Sequence, residues 1–238
     1  MTRVSARYER HFAALPAVIL LAFAPPAFAA DGFDFTYLEA GYGIDSTIEA
    51  FGQSYDSDDS YRIDGSYQFN RHLFATAQYY SAGYDFEGNA NYGLSGYSLG
   101  VGYKGRISGA DAVPVEWFAV LSYEHSDTHS ELHDVNYDQG RDGVGLKAGI
   151  RAAVTDRLEL MVNAYEQSYG NDPLLLNGDL NGLSFELGGV LQLRGNCSLT
   201  TSYRTGELDY LTLPNYPSRY KLELDRDEVF VGVRWAFE

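Results

Sequence analysis

Between Phe35 and Phe237, apolar and polar residues alternate in segments of about ten, the period-two signature of extended strands. Ten such segments fall near 35–43, 60–69, 73–81, 95–104, 115–125, 143–154, 158–167, 183–193, 197–205 and 228–237. The second is the cleanest: Tyr61, Ile63, Gly65, Tyr67 and Phe69 share one face, and Ser60, Arg62, Asp64, Ser66 and Gln68 the other. Tyr37, Phe118 and Val120 make the first and fifth noisier, because they fall on the polar face. Short connections (Asn70–His72, Thr155–Arg157, Arg194–Asn196, with 105–114 a longer member) take turns with long ones rich in Gly, Asp, Asn and Ser. The long set is 44–59, 82–94, 126–142, 168–182 and 206–227. Ten antiparallel strands with short turns at one end and long loops at the other predict a closed up-and-down barrel; eight strands is the alternative count.

Alternation does not say which face is inside, but charge does. The polar face carries Arg62, Lys104, Lys147, Arg151, Arg194, Arg204 and Arg234, and equally Glu39, Asp64, Glu116, Glu124, Glu159, Glu186 and Glu228. Turned outward in a membrane, each would cost up to roughly 2–4 kcal/mol near the midplane. The strands also match the roughly 9–11 residues that a tilted strand needs to cross a bilayer. The expectation is therefore a transmembrane barrel with its apolar face to lipid and a lumen of self-cancelling charges. Tyr42, Tyr61, Tyr67, Tyr79, Tyr97, Tyr103, Tyr123 and Tyr203 cluster towards strand ends, where an aromatic girdle would lie.

The start of the chain reads as an address. Arg3, Arg7 and Arg10 precede an apolar run over Ala17–Ala24, and Ala27-Phe28-Ala29 presents small residues at the cleavage positions, so 1–29 is a signal peptide and 30–238 the barrel domain. Pro16, Pro25 and Pro26 break the run too early for a spanning helix. The net charge of −16 over 238 residues argues against nucleic acid, and the single Cys197 excludes an intrachain disulfide. The five long loops with Glu166 hold twenty acidic and four basic residues (Arg141, Arg219, Lys221, Arg226), so the whole negative balance is expected at one end of the barrel.

The last strand, Glu228-Val229-Phe230-Val231-Gly232-Val233-Arg234-Trp235-Ala236-Phe237-Glu238, resembles the C-terminal assembly signal of Gram-negative outer-membrane barrels, carried by Val229, Val231, Val233, Trp235 and Phe237. Here the aromatic is penultimate. Gly96–Tyr103 and Tyr37–Tyr42 are similar to strands of the small OmpA/OmpX-like barrel superfamily. The resemblance covers nearly all of 33–238 and implies an outer-membrane location with both termini periplasmic. It also implies membrane lipids, lipopolysaccharide and the barrel-assembly machinery as partners. It does not specify an activity, because such barrels include structural proteins, adhesins, narrow channels and a few enzymes.

Site chemistry is sparse, and no cofactor motif appears. His125, His129 and His133 are spaced by four, but on an extended chain that spans roughly 13 Å per interval, too far for one metal. A ten-stranded protease resembling the omptins would need a D-x-D pair opposite a His/Asp pair; Asp56 with Asp58 and His125 with Asp127 are the candidates, in the reverse His/Asp order. A lipid hydrolase using Ser126 and His125 is disfavoured, since neighbours on a strand face opposite ways. Ten strands filled by charges and by Phe118, Tyr165 and Phe230 leave room for a narrow ion leak at most. Asp56, Asp58 and Asp59 are the densest carboxylates and the candidates for weak divalent-cation binding. The reading is a non-enzymatic outer-membrane barrel with a plugged lumen and acidic surface loops, in a structural or adhesion role; the alternatives are the protease and the narrow channel.

Overall fold

The computed structural model describes residue 33 and residues 35–50, 53–86, 90–107, 113–132, 135–170, 180–212 and 221–237. The predicted signal peptide and His133 lie outside them. Ten strands form one closed antiparallel barrel in chain order, with β1 pairing β10. They are β1 (Tyr37–Ala50), β2 (Gln53–Gln68), β3 (Leu73–Phe86), β4 (Ala90–Arg106), β5 (Val115–Leu132), β6 (Val135–Ala153), β7 (Leu158–Tyr169), β8 (Leu180–Arg194), β9 (Cys197–Thr212) and β10 (Lys221–Ala236). Followed once around the wall, the register advances by about twelve residues, which for ten strands means a tilt of about 40°.

Short turns are built by local side chains. Asn70 Oδ1 accepts the His72 and Leu73 amides at 2.9 Å, and Thr155 Oγ1 accepts those of Arg157 and Leu158. Gly195 takes the left-handed φ of 57° that the two-residue β8–β9 turn requires.

The long loops of the sequence reading are a correction. Most of 44–59, 82–94, 126–142 and 206–227 continues the strands, so that β5 and β6 remain paired as far as Leu132 and Val135. Above the lipid band the outer face of a hairpin meets water instead of lipid and no longer has to be apolar, so the alternation fades while the hydrogen-bond ladder continues. Two register shifts, between Gly43 and Asp45 and between Ser57 and Asp59, further disturb the pattern there.

The outer wall is apolar, with Leu121, Val101, Leu187 and Val162 more than half exposed. Tyr42, Tyr61, Tyr79, Tyr97, Tyr123 and Tyr203 ring its upper edge; Tyr67, Tyr103, Trp117 and Trp235 ring the lower. Neighbouring rings pack, as in Tyr61–Tyr79 at 6.0 Å and Tyr103–Trp117 at 5.7 Å.

Candidate functional site

The lumen is filled in layers. At the end bearing the short turns, Phe35 leaves the start of β1 and tucks inside against Phe74 (4.6 Å) and Phe118 (5.8 Å), with Val120 beside them. Gly102 and Gly149 make the space, since a Cβ at either would run into the rings of Phe74 and Phe118. Lys104 lies 4.3 Å and Arg151 4.4 Å from the centroid of Phe35, sandwiching it between cations. Lys104 Nζ also reaches Glu116 at 3.3 Å, and Arg151 binds both oxygens of Glu159. The residues that made the first and fifth strands noisy are thus parts of this plug: Phe118 and Val120 belong to the aromatic layer, and Tyr37 stacks 4.0 Å from Arg234.

One layer up, Glu39 accepts from Arg234 (2.8 Å) and Thr200 (3.1 Å). Arg62 pairs with Asp64 (2.8 Å) and Glu186 (2.8 Å), and lies 3.6 Å from Glu39. These groups surround a cavity of about 90 Å³, the room of about three waters. Above it Glu124 accepts from Ser122 and Gln167, and Arg226 pairs with Glu228 beneath Ser46 and Tyr84. Ile48, Ala82, Tyr84, Tyr92 and Leu94 then form a second apolar cluster, inside the part of the barrel that rises beyond the upper aromatic ring.

Thirteen of the fourteen charges assigned to the lumen lie on its inner wall. Arg194 does not: it is exposed at the β8–β9 turn, where the register shift between Gln192 and Arg194 takes it out of the alternation. Arg226, assigned by sequence to a loop, takes its place inside, buried with its guanidinium 5.3 Å from the Tyr80 ring. With Arg226 these make seven cations against seven carboxylates, and Arg141, also assigned by sequence to a loop, stands opposite the inward-facing Ser126 and adds an eighth cation at the upper end of the inner wall. The sequence clue to Arg226 was the unbroken alternation Arg226, Glu228, Phe230, Gly232, Arg234, which carries past the predicted strand start.

The protease candidates are not brought together. His125 and Asp127 face outward on β5, above the upper ring; Asp56 is exposed on β2, three strands away and several residues further up, roughly 20 Å distant. The register shift between Ser57 and Asp59 interrupts the strand's alternation there, and the Asp58 side chain lies outside what the structure describes. His125 is held at both nitrogens, Nδ1 to Asp142 (2.7 Å) and Nε2 to Asp127 (3.3 Å), and stacks on Tyr97. A general base needs a nitrogen open to a proton, and neither is open. His129 pairs across the hairpin with Asp138. Ser126 turns the other way, into the lumen towards Tyr80. Asp56 and Asp59 stand exposed, and among the described residues no three His, Cys, Asp or Glu side chains are grouped to hold a metal ion.

Val229, Val231, Val233 and Trp235 lie on the outer face of β10; Phe237 follows the last residue of the strand, and its amide donates to the Thr36 carbonyl at 2.9 Å where the barrel closes on β1.

A lipid-facing apolar wall, two aromatic rings and a neutralised, filled lumen define a plugged transmembrane β-barrel. The family model described as the outer membrane protein beta-barrel domain matches residues 14–192, and the chain belongs to that family. No curated protein matches it in sequence. Similar solved structures include Neisserial surface protein A, with 16% identity over 84% of this chain and 96% of that one and a TM-score of 0.40. Ail, the attachment invasion locus protein of Yersinia pestis, has 13% identity over 84% and 97%, with a TM-score of 0.39. The outer membrane protease OmpT from Escherichia coli has 10% identity over 88% and 100%, with a TM-score of 0.49.

Proposed function

We propose that this outer-membrane β-barrel is non-enzymatic and works through its outer end, as a structural or adhesive surface protein of a Gram-negative bacterium. The observation that carries the reading is the lumen: an aromatic plug at one end, an apolar cluster at the other, and a cavity of only about 90 Å³ between them. Such an interior passes no nutrient. What remains for interaction is the crown of hairpins above the upper ring, where exposed Asp56, Asp59, Asp127, Asp138 and Asp142 set an acidic surface.

In this reading residues 1–29 are removed on export, both termini face the periplasm, and the assembly machinery recognises β10 through Phe237. The acidic crown meets anionic lipopolysaccharide through bridging divalent cations, for which carboxylate oxygens are the preferred ligands.

The test has two arms. Purified protein in planar bilayers should show no stable nanosiemens steps, and in lipid vesicles it should leave a peptide library uncut. Cells displaying the intact barrel should differ in surface attachment from cells whose β5–β6 hairpin is shortened to the level of Tyr123. Steady conductance, or cleavage abolished by Asp142→Asn, would replace the proposal with a channel or an enzyme.

A further inference from the structure

Two cations in the central cavity are poorly satisfied by the protein. Lys147 on β6 and Arg204 on β9 are largely removed from solvent, with side chains 28% and 12% exposed. Each approaches a carboxylate only at 3.7 Å, and both approach the same atom, Glu186 Oε2. That oxygen already accepts from Asn163 at 3.1 Å, while Arg62 holds Oε1 at 2.8 Å. Among the described residues neither the Lys147 nor the Arg204 side chain makes a hydrogen bond. An ammonium offers three donors and a guanidinium five, and a charge withdrawn from water needs them used.

The charge around the cavity points the same way. Its wall carries five Lys or Arg side chains against the three carboxylates Glu39, Asp64 and Glu186. Glu159, just outside the cavity, neutralises Arg151 with two hydrogen bonds. One positive charge is left over at the cavity wall itself, on the side where Lys147 and Arg204 stand; in the lumen as a whole Glu124, one layer up, offsets it. The nearest carboxylate above, Glu124, is engaged by Ser122 and Gln167.

The strand registers place a further donor beside them. Lys147, Tyr165, Ser184 and Gly206 form one row across β6, β7, β8 and β9, with Arg204 inward-facing next to the end of that row. Ser184 lines the cavity, and Gly206 leaves its flank free, since a Cβ there would stand 2.4 Å from the Ser184 Cβ. We infer that Lys147, Arg204 and Ser184 form a binding site for one small monovalent inorganic anion, of chloride size, inside the barrel. The volume of about 90 Å³ takes such an ion with a pair of waters. The ion gives the two cations a close acceptor inside the cavity, where Glu186 is reached only at 3.7 Å.

The test uses the full mature barrel in detergent at constant ionic strength, with chloride or bromide exchanged for gluconate, which is too large for the cavity. Halide should raise the thermal unfolding temperature saturably, and Lys147→Met should abolish the response. Crystals grown in bromide should show an anomalous peak at hydrogen-bonding distance from Lys147 Nζ and the Arg204 guanidinium. Gluconate acting as well as chloride would overturn the site, as would an undiminished response in Lys147→Met. If that variant does not fold, the bromide experiment on the unaltered protein decides alone: no peak between the two cations means no site.

Discussion

Arg151 grips Glu159 with two hydrogen bonds, Nε to one oxygen at 2.5 Å and Nη2 to the other at 2.8 Å, while its guanidinium carbon lies 4.4 Å from the centroid of Phe35. Ion pair and aromatic plug are therefore one unit. Removing one partner of a buried pair strands the other and costs about 3–5 kcal/mol. Arg151→Ala should lower the denaturant midpoint in detergent by that order. Arg194→Ala, at an exposed turn, should change it by about 1 kcal/mol or less. Equal shifts would mean that the lumen pairs contribute no more than surface ones.

The contrast between Arg194 and Arg226 shows how far the sequence could be read. Where the wall faces lipid on one side and lumen on the other, every second residue must be apolar, so β2 from Ser60 to Gln68 and β6 from Gly143 to Ala153 are legible. Beyond the upper ring that constraint lapses. Asp138–Asp142 is polar throughout and Ser54–Asp59 carries Tyr55 alone among polar residues, so both read as loop although they are strand. Bulges add a second blind spot: a single extra residue at Ser57/Asp59 or at Gln192/Arg194 reverses the face of everything beyond it. The protease candidates fell in that region. The cavity site was legible only as composition, because the convergence of Lys147 and Arg204 on Glu186 depends on the registers of four strands.

Phe35 precedes β1, yet it is 3% exposed and touches two other rings. Truncating such a side chain typically costs about 3–5 kcal/mol through lost burial and the cavity left behind. Phe35→Ala should destabilise the barrel by that order while leaving its strand content, measured by circular dichroism, unchanged. Because Lys104 and Arg151 would lose the ring between them, a rise in small-ion leakage across vesicles is also expected. A variant as stable as the parent would show that the segment before β1 does not seal the lumen.

Acid should loosen the β5–β6 hairpin at a defined place. Hydrogen bonds from Tyr123 and His125 hold the Asp142 carboxyl below its usual value, in the part of the hairpin above the aromatic ring. A depressed carboxylate value contributes stability that is full above the unfolded value, near 3.9, and is lost as pH falls through the folded one. Amide exchange in 123–127 and 140–144 should therefore be slow at pH 6 and accelerate below about pH 4 relative to the rest of β5 and β6. Asp142→Asn should show the faster exchange already at pH 6. Identical profiles in the two proteins would remove Asp142 from the account.

Closure of the barrel rests on the last strand. β10 pairs β9 on one side and β1 on the other, and the Phe237 amide bonds the Thr36 carbonyl at the end of the β1 seam. Strand pairing between the two ends of a chain carries a large loop-closure cost, met only when both ends are in place. Deleting residues 237–238 removes that hydrogen bond and the aromatic end of the outward row Val229, Val231, Val233 and Trp235. The expected outcome is loss of the compact, heat-modifiable band from outer-membrane fractions, with chain accumulating unfolded in the periplasm. Phe237→Tyr keeps the amide and the ring and should assemble normally. Phe237→Ala keeps the amide alone, so it separates the two contributions. Assembly at parental levels in Phe237→Ala with failure of the deletion would assign the requirement to the backbone seam. Failure of both would assign it to the ring.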